Sequence, residues 1–159
     1  MTKIAVVTDL HANREAVEAV FAHARAQGVT EWALLGDFVG YGADPGWVVD
    51  LVREQVARGA LAVLGNHDAA AVHGPLPSMV ADARAAIEWT QDHLDAGQRA
   101  FIAALPMSLT MHGALFVHAN TVRYRLRRVA EVCGETPTDP RGAFTLRVAL
   151  AIGALEQLG

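Results

Sequence analysis

The sequence predicts an α/β domain built on a mostly parallel sheet, and three observations predict it. Short apolar runs alternate with stretches of helical period. Each of the first three runs ends in a polar turn. The helical stretches between them are long enough for crossover connections, so the runs form parallel βαβ units.

The elements follow in order. Lys3-Ile4-Ala5-Val6-Val7-Thr8 is an apolar run ending at a polar turn, as in a buried parallel strand. Asn13 caps a helix running to about Gln27, with Val17, Val20, Phe21 and Ala24 on one face, and Gly28 ends it. Trp32 to Leu35 is a second strand, followed by a glycine-rich loop from Gly36 to Gly42. Pro45 opens a helix that ends near Gly59. Leu61 to Leu64 is a third strand, ending in the loop Gly65-Asn66-His67-Asp68. Met79 to His93 and Ala96 to Leu105 have helical period, and Pro106 closes the second. Ser108 to Met111 and Ala114 to Val117 make two short strands around a His112-Gly113 turn. Asn120 caps an arginine-rich helix, Thr121 to Cys133; a turn-rich link, Gly134 to Asp139, leads to Pro140 and a last apolar helix to Leu158.

Composition narrows the class. At 159 residues the chain is long enough for one domain with a sizeable core. With 52% hydrophobic and 19% charged residues it is neither disordered nor highly charged, and a soluble globular domain is expected. No apolar run approaches the roughly 18 residues that cross a bilayer. Met1-Thr2-Lys3 leads directly into a strand, so no signal peptide is expected. The lone Cys133 excludes an internal disulfide and fits a reducing cytoplasm, with a small buried side chain as its expected role. The net charge of −4 divides unevenly: Met1 to Asn120 holds 7 basic and 13 acidic residues, and Thr121 to Gly159 holds 6 and 4. A sign change between segments points to different partners or different origins.

Three polar clusters directly follow strands: Asp9-x-His11, Gly36-Asp37 and Gly65-Asn66-His67-Asp68. In an open α/β sheet the carboxyl ends of the strands line one crevice, so these side chains converge. Carboxylate, imidazole and amide oxygen together suit Mn²⁺, Fe²⁺ or Zn²⁺. A carboxylate between two such ions can bridge them, as in two-metal hydrolases. Gly36, Gly40 and Gly42 serve tight turns and close backbone approach. His23, His73, His93 and His112 fall outside these clusters and read as surface or turn residues.

The order Asp-x-His, Gly-Asp-x-x-Gly-Tyr-Gly, Gly-Asn-His-Asp, then Val-His resembles the calcineurin-like metallophosphoesterases over Met1 to His118. The resemblance implies a dinuclear site hydrolysing phosphate esters, phosphodiesters in particular. Asp9 and His11 would hold one metal, Asp37 would bridge both, and Asn66 and His118 would hold the second. His67 would face the substrate, as acid to the leaving group or donor to the phosphoryl oxygens. The family goes on to a second sheet and a late Gly-His-x-His motif, whereas no histidine follows His118 here. Each metal then lacks one protein ligand, and weak or lost activity is the expectation.

From Leu115 to Gly159 the sequence resembles instead the helix-turn-helix C-terminus of PucR-type regulators, through Asn120-Thr121-Val122-Arg123-Tyr124-Arg125-Leu126-Arg127-Arg128. That resemblance implies a recognition helix in which Asn120, Thr121, Arg123, Arg125, Arg127 and Arg128 contact DNA. Read by pattern alone, the helix is an amphipathic one with Val122, Leu126 and Val129 as its buried stripe. The two resemblances meet at Leu115 to Ala119.

The expected architecture is therefore a truncated metallophosphoesterase sheet core, 1–118, with a C-terminal helical segment, 119–159, packed on it as one compact unit. Phe144, Val148, Ile152, Leu155 and Leu158 would cover the bare sheet face; a homodimer would cover it otherwise. Metal-dependent phosphoester hydrolysis is the leading function. The alternatives are a DNA-binding regulator and a folded chimera without activity.

Overall fold

The computed structural model describes residues 2–77 and 79–146; the side chains of residues 121, 124, 125 and 128 lie outside that description. Two compact units emerge, Met1–His118 and Ala119–Gly159. No helix among the described residues is long and apolar enough to cross a membrane.

The first unit is α/β, around a parallel three-stranded sheet in the order β1 (Ile4–Val7), β2 (Glu31–Leu34), β3 (Leu61–Ala62). The register pairs Val7 with Leu34, and Leu34 with Ala62. All three strands therefore end on the same side. Side chains alternate across the sheet. Val7, Trp32, Leu34 and Ala62 join the main core, while Ala33, Leu61 and Val63 form a second cluster on the other face.

Helix α1 (Arg14–Ala26) starts at Asn13, whose Oδ1 accepts the Ala16 N–H at 3.0 Å. Val17 and Phe21 are buried, and Phe21 stacks on Trp32 with centroids 4.3 Å apart. Val20, grouped with that face from the sequence, is instead 43% exposed. Helix α2 (Pro45–Ala57) buries Val48, Val49 and Val52.

Helix α3 (Asn66–His73) corrects the reading of Gly65–Asp68 as a loop. Its first turn is closed by carboxylates: Asp68 Oδ2 accepts the Gly65 N–H at 3.0 Å, and Asp37 Oδ1 accepts the His67 N–H at 2.8 Å. The second cap lies 30 residues away, beyond the reach of local pattern. Helix α4 (Ala81–Asp92) and helix α5 (Ala96–Ala103) follow, the latter opened by a reciprocal Asp95–Gln98 capping box.

The hairpin β4 (Ser108–Met111) and β5 (Ala114–Val117) is antiparallel, with positive φ at both turn residues, His112 and Gly113. Met111 and Phe116 pack on the second cluster of Ala33, Leu61 and Val63. His112 Nε2 pairs with Glu31 Oε2 at 2.7 Å, tying the turn to the start of β2. Strand β4 packs against β3, and His118, the residue after β5, is placed beside the strand ends by its bond to Leu35 O.

In the second unit, helix α6 spans Ala119–Cys133. Asn120 therefore sits inside the first turn rather than capping it, and its Oδ1 accepts from Arg123 Nη1 at 3.1 Å. Cys133, expected to be buried, is exposed. Residues 140–146 are helical, entered through Asp139, whose Oδ1 accepts the N–H groups of Arg141 and Gly142. Phe144, expected within a covering apolar face, is 69% exposed. Val148, Ile152, Leu155 and Leu158 lie outside the described residues.

Candidate metal centre

The chain after β1 runs on beside the chain after β2. Asp9 N–H donates to Gly36 O (3.1 Å), His11 N–H to Asp37 O (2.9 Å) and Ala12 N–H to Phe38 O (2.8 Å). Gly42 N–H returns to His11 O at 2.8 Å. These loops hold their side chains by an unusual backbone: Asp9, His11, Ala12, Asp37 and Tyr41 all have positive φ, between 47° and 67°. Each such residue costs about 1–3 kcal/mol, a strain that collects where side chains must be aimed.

Glycine makes the third loop fit. A Cβ on Gly65 would lie 2.0 Å from Asp37 N, and one on Gly36 would lie 2.4 Å from Gly65 N. The two backbones touch, which brings Asp37 and the start of α3 together. Asp68 locks the contact. Fully buried, its Oδ1 accepts the N–H groups of Phe38 and Val39 at 2.8 and 3.2 Å.

Three of the expected metal residues meet around one point, and the other two, His11 and Asn66, adjoin them. The ligand atoms of Asp9, Asp37 and His118 all lie within 4.8 Å of one another. His118 Nε2 is 3.3 Å from Asp37 Oδ2 and 3.2 Å from Asn66 Oδ1. His11 Nε2 is 3.6 Å from Asp9 Oδ1. Both histidines are oriented from behind. His118 Nδ1 donates to Leu35 O at 2.6 Å and His11 Nδ1 to Val39 O at 3.2 Å, so each turns Nε2 towards the carboxylates. Thr8 Oγ1 donates to Asp9 Oδ2 at 2.6 Å.

His67 adjoins this group. Its ring meets His11 edge-on, with centroids 4.9 Å apart, and its Nδ1 is buried without a hydrogen-bond partner against the Gly40 backbone. Burial holds the His67 imidazole below its ordinary pKa, against the raising effect of Asp37. Burial alone would raise the Asp37 carboxyl; the His118 hydrogen bond, the His67 N–H and the two imidazoles bring it below its usual value. Burial opposes protonation of His118, yet its contact with Asp37 outweighs this and raises it. Burial and the Asp37 charge push Asp68 up to about 7 despite its three N–H partners.

Sequence reasoning passed over Asp68 and Tyr41. The signal for Asp68 was an acidic residue at the third position of a helix, where it can reach back to the cap. For Tyr41 it was an aromatic residue between two glycines. The DNA-contact candidates fall in the second unit, on α6. Arg123 and Arg127 are exposed, and the side chains of Thr121, Arg125 and Arg128 lie outside the described residues.

The fold has solved counterparts. A metallophosphoesterase from Sphaerobacter thermophilus matches 69% of this chain at 35% identity, with a TM-score of 0.57 over 44% of its own length. The first unit has a metallophosphoesterase-like fold. A putative diadenosine tetraphosphatase matches 73% of the chain at 25% identity, TM-score 0.54, over 49% of its length. An uncharacterized protein of Methanocaldococcus jannaschii is 34% identical over 126 residues, 74% of this chain and 49% of that protein. This chain thus spans about half of each of these relatives. Residues 113–152 match the PucR C-terminal helix-turn-helix domain. An uncharacterized Mycobacterium tuberculosis protein is 57% identical over 42 residues, 26% of this chain but 10% of its own. The metallophosphoesterase-like unit and the helix-turn-helix match overlap at residues 113–118, which here form the hairpin turn, β5 and His118.

Proposed function

We propose that Asp9, His11, Asp37, Asn66 and His118 form a divalent-metal centre for phosphoester hydrolysis, with His67 facing the substrate. The observation that carries this reading is His118. Its Nδ1 proton is committed to Leu35 O, so Nε2 brings a lone pair towards two further acceptors, Asp37 Oδ2 and Asn66 Oδ1. Three acceptors converging in a buried place need a cation or a proton between them. The mixed oxygen and nitrogen donors fit Mn²⁺, Fe²⁺ or Zn²⁺.

The chain's own residues then divide the work. Asp37 would join the two donor groups, because its carboxylate lies within 4.8 Å of the ligand atoms of both Asp9 and His118. Divalent ions held there would supply Lewis acidity and a water activated at neutral pH. His67, kept neutral by burial, would offer Nε2 to the ester oxygens, because Nδ1 is enclosed against Gly40. These five residues leave positions on each ion open to water, and slow turnover is the expected outcome.

The test is Mn²⁺-dependent hydrolysis of an activated aryl phosphodiester by the full chain and by His67→Ala. Slow, metal-dependent turnover that falls about a hundredfold or more in the variant is expected. Robust turnover unchanged by His67→Ala removes that residue from the mechanism.

The helix-turn-helix match over residues 113–152 supports a second reading, association with nucleic acid through Arg123, Arg125, Arg127 and Arg128. A recognition helix needs a partner helix held across it. The residues just before α6 instead form the β4–β5 hairpin. Weak, sequence-independent binding is the outcome this arrangement favours.

A further inference from the structure

Tyr41 lies beside the metal residues but takes no part in holding a cation. Its φ is 67°, a left-handed conformation that a bulky residue adopts only under constraint. The constraint comes from its neighbours. A Cβ on Gly40 would lie 2.6 Å from His67 Nδ1, and one on Gly42 would lie 2.3 Å from His11 O. The backbone is thus pinned on both sides, and glycine or asparagine would suit position 41 better.

The aromatic ring does not serve the core. Tyr41 is 56% exposed and belongs to neither hydrophobic cluster of the described residues. It rests on two imidazoles instead: edge-on to His11, with centroids 5.0 Å apart, and tilted over His67, at 4.8 Å. A large planar surface is therefore fixed at the open side of the site, next to the histidine proposed to face the ester oxygens.

We infer that Tyr41 is a specificity-determining residue, a stacking platform that selects phosphate esters whose alcohol portion is planar and aromatic over aliphatic ones. This rests on the phosphoester reading of the site. The ring lies beside His67, which would face the ester oxygens, and an aromatic ester group there gains an offset-stacked or edge contact that an alkyl group cannot make.

Binding of two non-hydrolysable ligands, phenylphosphonate and methylphosphonate, to the Mn²⁺-loaded full chain tests the inference without relying on turnover. The unmutated protein prefers the phenyl ligand by about three- to tenfold. Tyr41→Phe keeps that ratio, and Tyr41→Asn, which tolerates the same backbone, brings it close to one. A ratio unchanged in Tyr41→Asn overturns the inference, as does an equal weakening of both ligands, which assigns the ring to propping His67. Methylphosphonate binding without a phenyl preference overturns it while leaving the phosphoester reading intact. Binding of neither ligand removes both. Should the asparagine variant fail to fold, nuclear Overhauser contacts between bound phenyl protons and the Tyr41 ring decide the matter in the unmutated protein, and their absence is the contrary result.

Discussion

His118 Nε2 stands 3.3 Å from Asp37 Oδ2, with both side chains 1% exposed and the opposite ring nitrogen tied to Leu35 O. In the metal-free protein burial opposes protonation of His118, but the contact with Asp37 outweighs it and raises the His118 pKa. A histidine raised on folding stabilises most below its unfolded value and loses that contribution as pH rises through the folded one. Metal-free protein should therefore melt at lower temperature as pH rises above about 6.5, the unfolded histidine value. A divalent ion must displace that proton, so Mn²⁺ binding should release protons and weaken on acidification. Calorimetry in buffers of different ionisation enthalpy measures the release; a proton count of zero contradicts the assignment.

Asp68 contributes with the same sign, chiefly through its burial and then through the Asp37 charge. Its carboxyl is raised to about 7, so its stabilising effect is complete below the unfolded carboxylate range and is lost as pH rises through about 7. Asp68→Asn keeps an oxygen for Phe38 and Val39 but turns an amide donor against the Gly65 N–H. Leaving that buried donor unpaired costs about 1–3 kcal/mol. The variant should be less stable than the parent at pH 5, with the difference shrinking towards pH 8. Chemical denaturation at the two pH values checks this, and a constant difference counts against it.

Gly65→Ala tests the contact between the two backbones. The added Cβ would stand 2.0 Å from Asp37 N, so the loop or the helix must move. A loss of roughly 3 kcal/mol is expected, the upper end of overpacking costs. Gly28→Ala is the control: its Cβ meets nothing within 4 Å, leaving only the cost of its positive φ. Equal losses at the two positions would contradict the close approach.

Much of this arrangement was legible in the sequence because its signals are local. Alternating apolar runs marked the three parallel strands, Asn13 marked the start of α1, and His112-Gly113 marked the hairpin turn. The polar clusters at strand ends marked Asp9, His11, Asp37 and Asn66, since parallel strands end together. What escaped depends on distant partners. Helix α3 begins in a polar stretch because Asp37, 30 residues earlier in the chain, accepts the His67 N–H. Leu115-Phe116-Val117 suited either strand or helix, and pairing with Ser108–Thr110 decides for the strand. Cys133 fell in a helical pattern that says nothing about which side meets solvent.

The arginines of α6 give a prediction about nucleic acid. About four phosphate contacts, from Arg123, Arg125, Arg127 and Arg128, give a log–log salt slope near about −3.6 and little affinity at physiological salt. Gel-shift titration on unrelated duplexes should show one weak affinity shared by all of them. Sub-micromolar, sequence-selective binding at physiological salt would promote the regulator reading to first place.

The three loops and His118 are proposed to hold divalent metal together. Isothermal titration of the full chain with Mn²⁺, alongside a variant combining Asp9→Asn and Asp37→Asn, measures this. Saturable binding to the parent is expected, with an affinity lower by about a hundredfold or more in the variant, which would lose two ligand carboxylates. Indistinguishable binding heats for the two proteins would contradict it.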